Sequence, residues 1–322
     1  MRCALNPFLS AARWSRRAIW LGCACAALLS LLACEKKPQP APSASASAAA
    51  APSASGLMPG GLQASVVAKA VNPKGLAPYS GPTGTLSGSV RVKGDPPPQP
   101  TLGTDIEPGC DKARAVHGAA YRLGPDDALI DGLVAVTNYQ GFVPAAQPKV
   151  EISGDGCTWG TQTIAMTFGQ QLAVKSADQR SYIPELVPTR IGVVYVAAPG
   201  RDAVVLTPEK PQSYRLIDRA HPYSSAAVFV LNYATHSVTD QAGQFTIPGI
   251  PVGRVKINAL LPATMESESQ WVEMKAGETT RVELTIQHRA AALPAPSSSA
   301  APSSSAAPSS SAAPPSSAAE QR

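Results

Sequence analysis

Between residues 84 and 288 the chain is written in short runs of branched and aromatic residues, each cut off by Pro, Gly or Asp within a few positions. In "TRVELTIQ", Val282, Leu284 and Ile286 alternate with Arg281, Glu283, Thr285 and Gln287. Successive side chains of a strand point to opposite faces, so this spelling gives one dry face and one wet face. "RIGVVYVAA", "DAVVLT", "SSAAVFVLNY", "QFTI", "RVKINALL" and "QWVEM" read as further short strands between turns. No stretch joins a helix-start signal to an amphipathic 3.6-residue period of useful length. The expected fold class is all-β: a β-sandwich, or two sharing an edge, with about 200 residues available to build a core.

The ends of the chain are written differently. Residues 1–33 carry Arg2, Arg13, Arg16 and Arg17, no acidic residue, and the apolar run "AIWLGCACAALLSLLA". That run is shorter than the ~20 residues a membrane span needs, and it has the form of an export signal. It closes on "LLAC", with Ala33 directly before Cys34, and this resembles the lipobox of bacterial lipoproteins. The resemblance implies cleavage before Cys34 and acylation of Cys34, hence a membrane partner and a periplasm-facing or outer-membrane surface in the cell envelope. An ordinary signal whose cleavage site precedes a cysteine is the alternative. "SRRAIWL" partly resembles a twin-arginine signal, and both export routes stay open.

Removing the signal changes how charge and cysteine use are read. The formal charge of +5 falls to +1, because the four arginines leave and every acidic residue lies after Cys34. No basic stripe with interleaved aromatics is present, which argues against a nucleic-acid partner. Cys3, Cys23 and Cys25 go with the signal and Cys34 takes the lipid, so Cys110 and Cys157 are left in the exported body. Two cysteines in an oxidising compartment suggest one disulfide, closing a loop of 48 residues; two free thiols are the alternative. Residues 34–83 and 289–322 are dominated by Ala, Pro and Ser, the latter as a six-residue repeat. They hold too little apolar surface to offset the entropy of ordering, so both are expected to be disordered, the first as a spacer from the membrane.

Within the body, "VTDQAGQFTIPGIPVGRVKINALLP" and "VEMKAGETTRVELTI" resemble the carboxypeptidase regulatory-like domain, a small prealbumin-type sandwich. "GTLSGSVRVKGDPPP", at 84–98, matches that family's first strand, although it lies far upstream. The arrangement reads as a sandwich split between 84–98 and 236–288, with another module inserted over 99–235. The insert carries "GCTWGTQTIAMTFGQQLAVKSADQRSY" and "IDRAHPY" and is similar to cupredoxin-like segments, through Gly156, Cys157, Trp159, Gly169, Gln170, Asp178, Asp218, His221 and Pro222. The expected fold is thus a cupredoxin-like β-sandwich plus a small prealbumin-like β-sandwich, flanked by disordered tails.

Blue copper needs a thiolate and two imidazoles, usually with a weak thioether. This chain has "DQRSYIPEL" where the resemblance puts a histidine loop, Ile217 in place of the cysteine and Ser224 in place of the methionine. His221 alone survives. A rebuilt site would take His221, His236 and Asp218 as ligands, with His117 and Met166 as further candidates, and would suit copper or zinc. His288 adjoins the tail and is given no role. There is no G-x-S-x-G, P-loop, H-E-x-x-H or CxxC pair, so no enzyme is expected. Asp131, before a predicted strand, reads as a turn former. The expected function is a non-catalytic, lipid-anchored binding or scaffold module with a polysaccharide or envelope-protein partner and no cofactor. The alternative is a weak copper-binding or redox-associated protein with a degenerate cupredoxin site.

Overall fold

The computed structural model describes residues 57–58, 60–98, 106–189 and 193–290. The signal, Cys34, the linker up to residue 56 and the tail beyond residue 290 lie outside the described residues. In chain order, helix α1 (Ala64–Val71) precedes strand β1 (Thr83–Gly94), helix α2 (Asp111–His117), β2 (Arg122–Leu123), β3 (Leu129–Ile130) and β4 (Leu133–Thr137). There follow β5 (Lys149–Gly154), β6 (Thr163–Thr167), β7 (Gln171–Ser176), β8 (Pro184–Val187), β9 (Val204–Leu206), β10 (Ser213–Asp218) and β11 (Ser225–Leu231). The last strands are β12 (His236–Val238), β13 (Gln244–Pro251), β14 (Gly253–Leu261), β15 (Glu266–Met274) and β16 (Thr279–His288).

These strands make two sandwiches, each with its own core. In the first, a sheet ordered β13-β1-β16 packs on one ordered β12-β4-β14-β15. Alternation decides which face is buried: Val282, Leu284 and Ile286 of β16 and Val255, Ile257, Ala259 and Leu261 of β14 all point into this core. β1 sits centrally, antiparallel to β13 and parallel to β16. Its backbone passes so close to β16 that a Cβ on Gly88 would lie 2.1 Å from the Val282 carbonyl oxygen, so only glycine fits there. In the second sandwich a sheet ordered β6-β11-β10-β8 packs on one ordered β5-β7-β9. Its core holds Trp159, Met166, Leu172, Tyr182, Leu186, Leu216 and Val228.

Three sequence expectations change. The stretch 34–83 is not linker throughout, because α1 docks Val67 into the second core, with Met58, Leu62, Ala70 and Val71 packed around it. Val67, Ala70 and Val71 share one face at three- and four-residue spacing, but the helix spans only 8 residues and its N-cap, Gln63, makes no capping bond, so it carried no start signal. Second, residues 129–137 fall inside the expected insert, yet β4 lies between β12 and β14, and Leu129, Val134 and Val136 belong to the first core. Third, "RIGVVYVAA" is not a strand where it is described: Val193 to Val196 are exposed and irregular, and only Ala197 bridges, to Tyr182. Among the described residues no helix is long and apolar enough to cross a membrane.

Candidate functional site

His221 sits in the tight connection between β10 and β11. Asp218, the last residue of β10, builds that connection: its Oδ1 accepts the backbone N–H of Ala220 at 3.0 Å, an Asx-turn, and that of Ile183 at 2.8 Å. Its Oδ2 takes His221 Nδ1 at 2.6 Å, and the Ser224 N–H closes the turn on the His221 carbonyl at 2.8 Å. A carboxylate only accepts, so Nδ1 carries a hydrogen and points at Asp218. The nitrogen free of that bond is Nε2. Asp218 is 1 % exposed and His221 9 %, so this pair is fixed in the body of the protein.

Aromatic rings flank the imidazole. Tyr182 lies 5.4 Å from it centroid to centroid and Tyr223 6.1 Å, and Trp159 stacks at a tilt on the far side of Tyr182 at 5.5 Å. Tyr182 is held at its other end: its hydroxyl donates to Asp178 Oδ2 at 3.0 Å and accepts the Cys157 N–H at 3.2 Å. Burial and the Asp178 charge push the Tyr182 phenol well above its ordinary range. Burial alone would raise the Asp178 carboxyl, but the Gly156 and Arg180 N–H groups, the Tyr182 hydroxyl and the Arg180 guanidinium together hold it below the usual carboxylate range. Gly154 leaves room for the Tyr182 ring, whose atoms would lie 2.7 Å from a Cβ at that position. Cys110 and Cys157 form a disulfide and pack with Ile106, Ala113 and Tyr223 beside this row of rings.

The other ligand candidates are elsewhere. His236 lies on β12 in the first sandwich and its Nε2 meets Thr167 Oγ1, on β6 of the second, at 3.2 Å. Burial lowers its pKa to about 4. His117 ends α2 with Nε2 at 2.9 Å from Thr158 Oγ1; burial, then the charge of Arg122, lower its pKa to about 4. Met166 is wholly enclosed in the second core. His288 is a core residue rather than a tail neighbour, 4 % exposed, with Nδ1 at 2.7 Å from Glu266 Oε2. The structure therefore brings His221 and Asp218 together and leaves His236 out. Among the described residues no three His, Cys, Asp or Glu side chains converge as a metal site.

Asp131 is the residue that sequence reasoning undervalued. It adopts φ 62° and is 6 % exposed. Its carboxylate accepts Arg122 Nε at 3.0 Å and Nη2 at 2.5 Å, the Thr161 hydroxyl at 2.6 Å and the Gln162 N–H at 3.0 Å. Asp131 precedes β4 of the first sandwich, while Thr161 and Gln162 lead into β6 of the second, so one carboxylate ties the two together. Beside it opens a crevice of about 540 Å³. Its floor is the outer face of the β6-β11-β10 sheet, and its walls are the 119–121 segment and the turn between β14 and β15.

No protein-family profile matches the chain, and no curated protein matches it. Among solved structures, a reduced amicyanin variant is 14% identical, with the match covering 30% of this chain and 97% of that one at a TM-score of 0.23. A second amicyanin variant is 15% identical over 27% of this chain and 85% of its own, also at a TM-score of 0.23. The likeness is weak and has no bearing on this chain's ligands or function.

Proposed function

We propose that this chain is a non-catalytic, lipid-anchored binding module of the cell envelope, held to a membrane through acylated Cys34, with a polysaccharide or envelope protein as its partner. The observation that carries the reading is the dispersal of the candidate ligands: Asp218 is taken up by the Ile183 and Ala220 N–H groups and His221 Nδ1, while His236 meets Thr167 and His117 meets Thr158 instead of joining His221. With Nδ1 bonded to Asp218, a metal would reach the ring at Nε2, and among the described residues no three His, Cys, Asp or Glu side chains converge to complete a site there. The cysteines add nothing soft to such a site, since Cys110 and Cys157 are spent on each other. Serine, cysteine and threonine side chains near His221 lack the nucleophile-to-base hydrogen bond that covalent catalysis uses, and Ser224 Oγ finds no partner at all among the described residues.

The test is metal content. The full chain, exported to an oxidising compartment, is loaded with copper or zinc, dialysed and analysed by mass spectrometry. The reading expects well under one equivalent, unchanged in His221→Ala. One equivalent retained by the parent chain and lost in His221→Ala would overturn it in favour of a degenerate cupredoxin site that binds copper.

A further inference from the structure

The crevice beside Asp131 has the makings of a small-molecule site separate from any macromolecular partner. Strand register sets its floor. Arg215, Ala227 and Thr163 lie in one row across β10, β11 and β6, and Ser213 and Phe229 lie opposite each other on β10 and β11. These face away from the second core, which takes the alternate residues Tyr214, Leu216, Ala226, Val228 and Val230. Small side chains along the floor leave the hollow, while Met265 supplies an apolar wall; it is 62 % exposed, with φ 61° at the turn. A volume near 540 Å³ falls within the range that small ligands occupy.

The charges in the lining do not cancel. Arg122 and Asp131 neutralise each other, and His117, with its pKa lowered to about 4, is uncharged at neutral pH. Arg215 is exposed on the floor and forms no ion pair among the described residues.

We propose that this crevice binds a small amphiphile with one anionic head, such as a carboxylate on an apolar body, with the head on Arg215 and the body along Phe229 and Met265. A guanidinium presents paired N–H donors that match a carboxylate, and its attraction is stronger over an apolar floor than in water. The site goes beyond the binding role argued above and does not depend on metal content or on acylation.

The test is isothermal titration of the full chain carrying Cys34→Ser, which dispenses with detergent, using decanoate and decanol as probes. The expected result is saturable one-to-one binding of decanoate, weakened about tenfold or more in Arg215→Gln. Decanol should bind more weakly and be indifferent to Arg215→Gln. Ala227→Trp, which fills the floor, should abolish both. Arg215 is a surface residue whose replacement disturbs no core, so the Arg215→Gln comparison holds even where Ala227→Trp does not fold. Absence of saturable decanoate binding, or binding equal in the parent chain and Arg215→Gln, would overturn the proposal.

Discussion

Arg122 meets Asp131 through both Nε and Nη2, at 3.0 and 2.5 Å, with the two side chains 11 % and 8 % exposed. Neither charge has water to fall back on, so the pair is worth most when one partner is taken away. Asp131→Ala should destabilise the chain by about 3–5 kcal/mol in denaturant unfolding, because it strands the Arg122 charge and the Thr161 and Gln162 donors together. The double variant Arg122→Met with Asp131→Asn should recover part of that loss. A loss in the double variant equal to the sum of the losses in Arg122→Met and Asp131→Asn alone would mean that the pair is not coupled.

The disulfide between Cys110 and Cys157 joins residues 47 apart in sequence and fastens α2 to the turn that carries Trp159. By the chain-entropy account its removal costs roughly 4 kcal/mol. Cys110→Ala with Cys157→Ala should lower the denaturant midpoint accordingly and change Tyr223 fluorescence, since that ring packs on the bridge.

Acid should weaken the fold through two histidines. His117 and His236 are held neutral with pKa values near 4 against a reference of 6.5. Between those values the unfolded chain takes up protons that the folded chain refuses, so stability is full above pH ~6.5 and falls as the pH drops towards ~4. The loss is on the order of 2–3 kcal/mol for each group. His236→Gln keeps a hydrogen-bonding partner for Thr167 and should flatten the slope over this window. An unchanged slope would show that His236 is not buried as described.

Helix α1 makes a prediction that an inert spacer would not. Val67→Asp puts a charge into the second core beneath Gly169, where the Val67 side chain lies 2.6 Å from the position of a Cβ. It should cost ~3 kcal/mol or more and expose residues 57–83 to protease. A variant as stable and as resistant as the parent chain would return this segment to the linker.

The all-β architecture was legible because alternation survives in the sequence wherever one sheet face is wet. Val282, Leu284 and Ile286 on β16 spell it out, and the structure buries them. β4 was less legible: Leu133 to Val136 are all buried, a central strand dry on both faces, and such a run does not say which sheet it enters. The Val193–Val196 run has strand composition without a partner strand, and composition cannot report a missing neighbour. At the candidate site, His221 and Asp218 stood out through the resemblance of "IDRAHPY" to cupredoxin-like segments, but that resemblance did not say that Asp218 would accept the Nδ1 hydrogen. Asp131 gave no signal beyond a turn, because its role depends on Arg122, Thr161 and Gln162 arriving from separate segments.

The central claim is that His221 is a hydrogen-bonded partner of Asp218 and not a metal ligand. The most direct measurement is the ring-nitrogen NMR spectrum of His221 in the isotopically labelled full chain, recorded at neutral pH with and without one equivalent of Zn(II). The account predicts a ring carrying a hydrogen on Nδ1, with signals that do not move on adding zinc and are altered in Asp218→Asn. A shift of either His221 nitrogen at one equivalent of zinc, saturating there, would contradict it.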